Sequence, residues 1–382
     1  GEAVDFELPE ELRMLRDTAY RFAQNEFPPL AKECDREEKF PRGLWKKACE
    51  LGFIGAWIPE EYGGGGVGQL GVAVIMEQFA RVDMGLSLIL ASTFGAEAIY
   101  LYGTEEQRKK YLPPLVRGEA ICAGAFTEPD AGTDVAGTRT RAVKDGDEYV
   151  INGSKMFITN GTICDFMVVL CVTNPEAEKR HKRHSLILVE ADRPGITRTK
   201  IHGKMGIRAS DTGEITFENV RVPVENLIGK EGEGFYQVMH FFDVTRTFVA
   251  AQGVGCAQGA LDLAISYVKE RKVFGAPLAT FQATQFKIAE MATRIELARN
   301  AVYKAAWKLD RGELDPTLSA MAKYYAGETA VWVANQALQL HGGYGYIDEY
   351  DVQRFYRDAK ILEIYEGTTE AEKLTIARRL LA

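Results

Sequence analysis

Glu148-Tyr149-Val150-Ile151-Asn152-Gly153-Ser154-Lys155-Met156-Phe157-Ile158-Thr159 decides how this chain is read. Two runs rich in β-branched and aromatic residues flank Asn152-Gly153, a dipeptide suited to the positive φ angles of a type I′ turn. The pattern predicts a β-hairpin in mid-chain. Further β-rich runs at 166–172, 185–190 and 214–222 follow, separated by polar, Gly or Pro punctuation, with no useful helix between them. The expectation is an antiparallel β domain, not a parallel α/β sheet.

On either side the period is helical. Leu12, Leu15, Ala19 and Phe22 recur at three- and four-residue steps until Pro28-Pro29, and helical stretches follow at 41–51, 71–82 and 105–116. After Asn226 the period returns at 235–271, 285–311, 318–340 and 354–364. Thr369 and Glu372 have the spacing of a capping box for a last helix, whose apolar face would be Leu374, Ala377 and Leu380-Leu381. The expected fold class is α+β: an all-helical domain (1–119), a middle antiparallel β domain (120–228) and a C-terminal four- to five-helix bundle (229–382). Gly63, Gly65 and Gly68 formally match GxGxxG, but a dinucleotide loop needs a βαβ setting. Between helices they read as a turn.

The 382 residues hold 46% apolar and 26% charged side chains, the composition of a soluble globular protein. A net charge of -8 argues against a general nucleic-acid binder. Cys34, Cys49, Cys122, Cys164, Cys171 and Cys256 match no zinc or disulfide spacing and read as small buried hydrophobes. His181 and His184 lie in the basic run 179–184, read as an exposed loop and not a metal site; no metal is expected. No apolar run of membrane-spanning length and no signal-peptide pattern is expected, and Gly1 in place of Met is compatible with a removed targeting segment.

Several stretches carry groups suited to chemistry, and each has an ordinary reading beside the functional one. Phe126-Thr127-Glu128-Pro129-Asp130-Ala131-Gly132-Thr133-Asp134 offers hydroxyls and main chain to a ligand, or is a surface turn. Phe157-Ile158-Thr159-Asn160-Gly161 is a strand end with an aromatic and a hydroxyl. Asp243 and Arg246 share a helix face at i, i+3, as an ion pair or as donor and acceptor to a polar ligand. Arg271-Lys272-Val273-Phe274-Gly275 and Gln339-Leu340-His341-Gly342-Gly343 are helix ends, and His341 reads as a capping or packing histidine. Glu366 stands beside Gly367 just before a helix N-terminus, as a proton-abstracting base or a solvated loop acid.

Taken in order, Thr127-Glu128-Pro129 with Ala131-Gly132-Thr133-Asp134, Phe157 to Gly161, Asp243-Val244-Thr245-Arg246, Arg271 to Gly275, Gln339 to Gly343 and Tyr365-Glu366-Gly367-Thr368 span nearly the whole chain. This combination resembles the acyl-CoA dehydrogenase family, of the short- and medium-chain type. The resemblance implies a flavoprotein binding FAD between the β domain and the C-terminal helices. It places Phe126, Thr127, Phe157, Ile158 and Thr159 against the flavin and Thr133 near both cofactor and thioester. Arg271, Phe274, Gln282, Gln339, Gly342 and Gly343 would reach the FAD of a neighbouring subunit, and Thr368 and Glu370 would also approach the cofactor. Asp243 and Arg246 match CoA contacts. Phe242, Tyr365, Gly367 and the segment 86–94, with small Ala91, Ser92 and Gly95, would border the acyl group. Glu366 matches the base that removes the α-proton while flavin N5 accepts the β-hydride, giving a 2-enoyl-CoA.

The resemblance further implies an electron-transferring flavoprotein as acceptor, a homo-oligomer of tetramer type, no nucleic-acid partner, no membrane span, and a bacterial cytoplasmic or mitochondrial-matrix location. It leaves the acyl group open among short, medium, branched and alicyclic. Phe157 stands where a tryptophan is common. Thr245 fills the position before Arg246 where relatives with a relocated base carry an acid, so the base assignment returns to Glu366. The alternatives are an oxygen-using acyl-CoA oxidase, usually longer; a DNA-associated flavoprotein of this fold, which net acidity opposes; and a helical scaffold without chemistry.

Overall fold

The computed structural model describes residues 4–382. The N-terminal helices are α1 (Glu10–Glu26), α2 (Pro28–Glu37), α3 (Arg42–Glu50), α4 (Gly68–Val82), α5 (Met84–Ser87), α6 (Ala96–Tyr102) and α7 (Glu105–Val116). Strands β1 (Cys122–Ala125), β2 (Arg141–Asp145), β3 (Glu148–Thr159), β4 (Phe166–Val172), β5 (His184–Glu190), β6 (Ile196–Lys200), β7 (Thr212–Pro223) and β8 (Leu227–Ile228) follow. The chain then forms α8 (Gly234–Glu270), the small hairpin β9 (Lys272–Val273) and β10 (Ala276–Pro277), α9 (Gln282–Asp310), α10 (Pro316–His341), α11 (Val352–Ala359) and α12 (Thr369–Leu381).

The eight strands order as β6-β7-β3-β2-β4-β5-β8, with β1 beside β4. All pairs are antiparallel except those of β1 and β2 with β4. The expected hairpin at Asn152-Gly153 is not there. β3 runs straight through the dipeptide, and both its halves pair with β7 across a register shift between Ile151 and Gly153. Asn152 uses its side chain to hold Asn219 across the bulge: Oδ1 accepts from Asn219 N at 2.9 Å, and Nδ2 donates to Asn219 Oδ1 at 3.2 Å. The turn lies one step earlier, where Gly146 and Asp147 join β2 to β3. A two-residue turn with both φ angles positive does occur, at Phe274-Gly275 between β9 and β10.

The helical readings hold, with a common core. Phe22, Phe27, Phe53 and Phe79 bring α1, α2 and α4 together at ring separations of 5.1–6.3 Å. Next, α4 packs on α8 so closely that a Cβ at Gly255 or Gly259 would fall 2.2 or 2.1 Å from a carbonyl of α4. Ion pairs tie two more C-terminal helices to α4 and its end, Arg354 Nε of α11 to Asp83 and Arg299 Nε of α9 to Glu77, both at 2.7 Å. The N-terminal helices and the C-terminal bundle therefore share one interior, against which the β domain is set.

Three further expectations change. Two stretches, Met84–Tyr102 and Gly234–Glu270, are long and apolar enough to cross a membrane by length and composition, contrary to the sequence reading. Both are mostly buried inside the protein, where a core helix has the same composition. His184 is not in the exposed basic loop but buried at the start of β5, with Nε2 3.0 Å from Thr138 Oγ1; His181 stacks on Phe235 at 3.9 Å. The cap of α12 is Thr368, not Thr369: its Oγ1 accepts from Ala371 N at 3.1 Å, while Glu372 turns inward to Arg246. Its apolar side chains Leu374, Leu380 and Leu381 are exposed on the protomer. All six cysteines are buried and free.

Candidate active site

After α11 the chain makes a tight turn over Lys360–Glu363 and reaches Tyr365-Glu366-Gly367-Thr368 before α12. Glu366 (φ 59°) and Gly367 (φ 100°) both take the left-handed region. Glycine suits 367 because L side chains rarely adopt that φ, and a Cβ there would also displace Glu372 Oε1, 2.2 Å away. A glutamate at positive φ is uncommon, and such strain collects at functional sites.

Charged groups from three helices converge here. Thr245 on α8 donates its hydroxyl to Glu366 Oε2 at 3.3 Å. Lys323 on α10 is buried and donates to the Gly367 carbonyl. Arg246 pairs with Asp243 and, through Nε, with Glu372 Oε1 at 3.1 Å; Glu372 Oε2 is buried without a partner among the described residues. Burial pushes the half-buried Glu366 carboxyl up to about 7, Lys323, the Thr245 hydroxyl and Arg246 pull it down, and Glu372 pushes it up. Such a carboxyl is near half-ionised at neutral pH, as a general base must be. Burial likewise raises Asp243 and Glu372 against the pull of Arg246. The anticipated Asp243–Arg246 pair is present, and it extends to Glu372.

A narrow cavity opens beside Thr245, lined among others by Trp57, Leu90, Ala91, Phe94, Glu97 and Phe248. Its free volume of about 20 Å³ is roughly what one water needs. Leu90, Ala91 and Phe94 were expected at an acyl group. Phe242 and Tyr365 were too, but neither lines this cavity: Phe242 packs edge-on to Phe126 and Phe241, and the Tyr365 hydroxyl donates to Gln252. Ser92 is buried as the acceptor of Trp45 Nε1. Glu97 was missed. Its Oε2 accepts from Gly95 N at 3.0 Å, and burial, with Glu366 adding to it, pushes its carboxyl up to about 8. A single acid inside the apolar run Phe94–Tyr102 was the available signal, as was a lysine on the small-residue stripe Ser319, Lys323, Ala326, Ala330 of α10.

The β-domain residues form a second group. Lys155 Nζ donates to the Phe126 carbonyl at 3.0 Å and to Glu128 Oε2 at 2.7 Å, tying the 126–134 loop to β3. Asn160 donates to the carbonyls of Ala91 and Cys122, fixing the end of β3 against the N-terminal helices. Between these anchors Phe157 has φ 58° and is 63% exposed, whereas Ile158 is buried. The hydroxyls of Thr127, Thr133 and Thr159 have no hydrogen-bond partner among the described residues. Thr368 is used as a helix cap, and Glu370 is exposed.

Arg271, Phe274, Gln282, Gln339, Gly342 and Gly343 are not brought to Glu366 within the protomer. All six are exposed. Arg271, Gly342 and Gly343 line a separate open groove of about 500 Å³, with Tyr344 under the Arg271 guanidinium at 5.4 Å. His341 packs there, stacked on Tyr267 at 4.2 Å with Nδ1 hydrogen-bonded to Ala337 O at 2.7 Å.

Three family models match in the order of this architecture: acyl-CoA dehydrogenase N-terminal domain at residues 9–119, middle domain at 123–220 and C-terminal domain at 232–381. The chain belongs to the acyl-CoA dehydrogenase family. It is 45% identical over 381 residues to acryloyl-CoA reductase (NADH) of Anaerotignum propionicum, covering 99% of this chain and 96% of that one. The short-chain specific acyl-CoA dehydrogenase of Clostridium acetobutylicum is 44% identical over 379 residues, 99% of this chain and 100% of the other. Butyryl-CoA dehydrogenase from Megasphaera elsdenii superimposes with a TM-score of 0.95 at 39% identity, over 99% of this chain and 100% of that one. As a member of this family the protein is an oxidoreductase acting on acyl-CoA, and the family implies a flavin.

The residues present suit such a group. The hydroxyls of Thr127, Thr133 and Thr159, which can donate or accept, have no partner among the described residues, and Phe157 exposes its ring at the end of β3. The buried Thr369 Oγ1 at the start of α12 is a further polar atom without a partner among the described residues.

Proposed function

We propose that this acyl-CoA dehydrogenase uses FAD to convert a short-chain acyl-CoA to its 2-enoyl-CoA, with Glu366 removing the α-proton. The observation that carries the reading is Glu366 itself: a half-buried carboxyl on a left-handed turn, raised to about 7, whose direct hydrogen bond is a hydroxyl at 3.3 Å. A fully paired carboxylate would be too weak a base to take a proton α to a thioester. FAD, when bound, supplies the hydride acceptor.

Phe126, Thr127, Thr133, Phe157, Ile158, Thr159, Thr368 and Glu370 are assigned to the FAD side. Asp243 and Arg246 are assigned to the CoA moiety, with Thr133, Phe242, Tyr365 and Gly367 around the acyl thioester. The six exposed residues from Arg271 to Gly343 complete the FAD site of a second copy in a homo-oligomer, of tetramer type. Their exposure supports this, as do bare Phe274, Phe286, Leu380 and Leu381. Electrons leave to an electron-transferring flavoprotein.

A cavity with room for about one water must widen for any acyl group, and a short one asks the least of it. The relatives named for butyryl-CoA and for short-chain acyl-CoA point the same way. The relative named as a reductase supports a second reading, the same site run from enoyl- to acyl-CoA, since one base serves both directions. The test is anaerobic mixing of the yellow protein with acyl-CoAs of increasing length. Butyryl-CoA should bleach the flavin fastest, and Glu366→Gln should keep its colour and lose the bleaching. An optimum at eight carbons or more would sink the short-chain assignment. Rapid reoxidation of the reduced protein by air would favour an oxidase over electron transfer to a flavoprotein.

A further inference from the structure

Lys323 is a buried cation that the reaction above does not use. It lies on the inner stripe of α10 among Ser319, Ala326 and Ala330, where its neighbours on the stripe are small. The residue is 1% exposed, and its ammonium donates to the carbonyl of Gly367, the residue after Glu366. That carbonyl belongs to a turn in which two successive residues hold positive φ, so its direction and the orientation of the Glu366 side chain are set together.

We propose that Lys323 is a positioning residue for α-proton abstraction: its ammonium clamps the Gly367 carbonyl to hold Glu366 in the left-handed turn, and its charge faces the Glu366 carboxylate. The inference rests on the reading of Glu366 as the base. Charged and titratable groups face this pair from every side. Arg246 comes from α8, with Thr245 beside it; Glu372 comes from α12, Glu97 from α6 and Glu363 from the turn before the loop. Lys323 is the strongest influence opposing the rise of the Glu366 pKa, while burial pushes Lys323 itself down to about 8 against the pull of Glu372 and Glu366. Removing it leaves the carboxyl buried beside Glu372 with only Arg246 and a hydroxyl in its favour, so its pKa must climb.

Lys323→Met and Lys323→Arg, each as flavin-loaded protein, test this by stopped-flow flavin reduction with butyryl-CoA between pH 6 and 9.5. In Lys323→Met the rising limb should move up by about one pH unit, and the limiting rate should fall about tenfold or more. The apparent dissociation constant should stay within about threefold, because Lys323 does not line the cavity. Hydrogen exchange in a peptide spanning Tyr365 to Ala371 should quicken as the clamp is lost. Lys323→Arg keeps the charge and misplaces the donor, so it should hold the parent's midpoint and lose rate.

An unmoved midpoint and unchanged exchange in a folded Lys323→Met overturn the proposal. If Lys323→Met does not fold or load flavin, Lys323→Arg decides alone, and an unchanged rate or a moved midpoint there overturns it. Glu366→Gln in the same assay separates the two failures. If that variant still reduces flavin, the base assignment falls; if it does not and Lys323→Met behaves like the parent, only the role of Lys323 falls.

Discussion

Glu128 in the β domain and Glu366 before α12 each stand beside a buried lysine, and the direction of the ammonium puts them to opposite uses. Lys155 points at Glu128 itself, at 2.7 Å, and the same carboxylate accepts from Arg139 N at 2.6 Å and Thr140 N at 3.0 Å. Burial pushes Glu128 up, but Lys155 and the two backbone donors outweigh it, and the group stays below the usual range. Burial also pushes Lys155 down against the pull of Glu128; at this contact distance the charged pair is the state the structure supports. Lys323 instead spends its ammonium on the carbonyl next door, and Glu366 ends near 7. A carboxylate with all its partners is structural. One held in place but left short of partners can take a proton.

The most severe way to break this contrast is Glu366→Gln. The amide keeps the shape and cannot accept the α-proton, so flavin reduction by butyryl-CoA should fall by about 10²–10⁴-fold. The thermal midpoint at pH 7 should not drop. A variant that loses stability as well as rate would mean that Glu366 is a structural carboxylate like Glu128.

Lys155→Met is the reciprocal experiment. It leaves Glu128 buried beside an apolar side chain, and the loss of one partner from a buried pair costs about 3–5 kcal/mol. Urea unfolding should show that loss, with flavin release alongside, since Lys155 also holds the Phe126 carbonyl. A cost under about 1 kcal/mol would show that the pair is solvated and that the comparison has no basis.

These two sites also show what was legible in the chain beforehand. The helical periods of 235–271 and 318–340 became α8 and α10 because three- and four-residue apolar spacing has one structural meaning over that length. Asn152-Gly153 did not, since the same dipeptide serves a hairpin turn or a bulge, and only the pairing of both halves of β3 with β7 decides between them. Phe274-Gly275 was the two-residue turn with both φ angles positive and carried no such signature. Glu366 was named from its motif, whereas Glu97 and Lys323 left only a faint signal, one charge in an apolar or small-residue stretch. A charged residue on the buried stripe of a helix is recognised only once the neighbouring helices define that stripe. The leucines of α12 were read as an apolar face and are exposed on the protomer; an apolar face says that something covers it, not what.

The two carboxylates should also answer pH with opposite sign. Glu366 binds its proton more tightly folded than unfolded, so its contribution to stability is full below about 4.5 and is lost as pH rises through about 7. Glu128, held low, contributes above its unfolded pKa and loses that contribution as pH falls through its folded one. Replacing Glu366 by the always neutral Gln should therefore raise stability relative to the parent by about 3 kcal/mol at pH 8 and by less than about 1 kcal/mol at pH 5. Urea midpoints at the two pH values check this. An advantage confined to pH 5 would reverse the sign and place Glu366 with Glu128.

The smallest effect concerns Glu97, the acid that shares the cavity. With its carboxyl at about 8 it is mostly protonated at the Glu366 midpoint near 7, so Glu97→Gln should leave the midpoint of flavin reduction nearly unchanged. The difference appears above pH 8. There the parent places a new negative charge against the acyl group, and any apolar ligand entering the cavity must either desolvate that charge or restore its proton. Affinity for a short 2-enoyl-CoA should fall with each pH unit in the parent, at most tenfold or about 1.4 kcal/mol, and stay flat in Glu97→Gln. Spectral titration from pH 6.5 to 9.5 measures both curves. If they fall together, Glu97 does not face the bound acyl group, and the polar end of the cavity lies off the ligand's path.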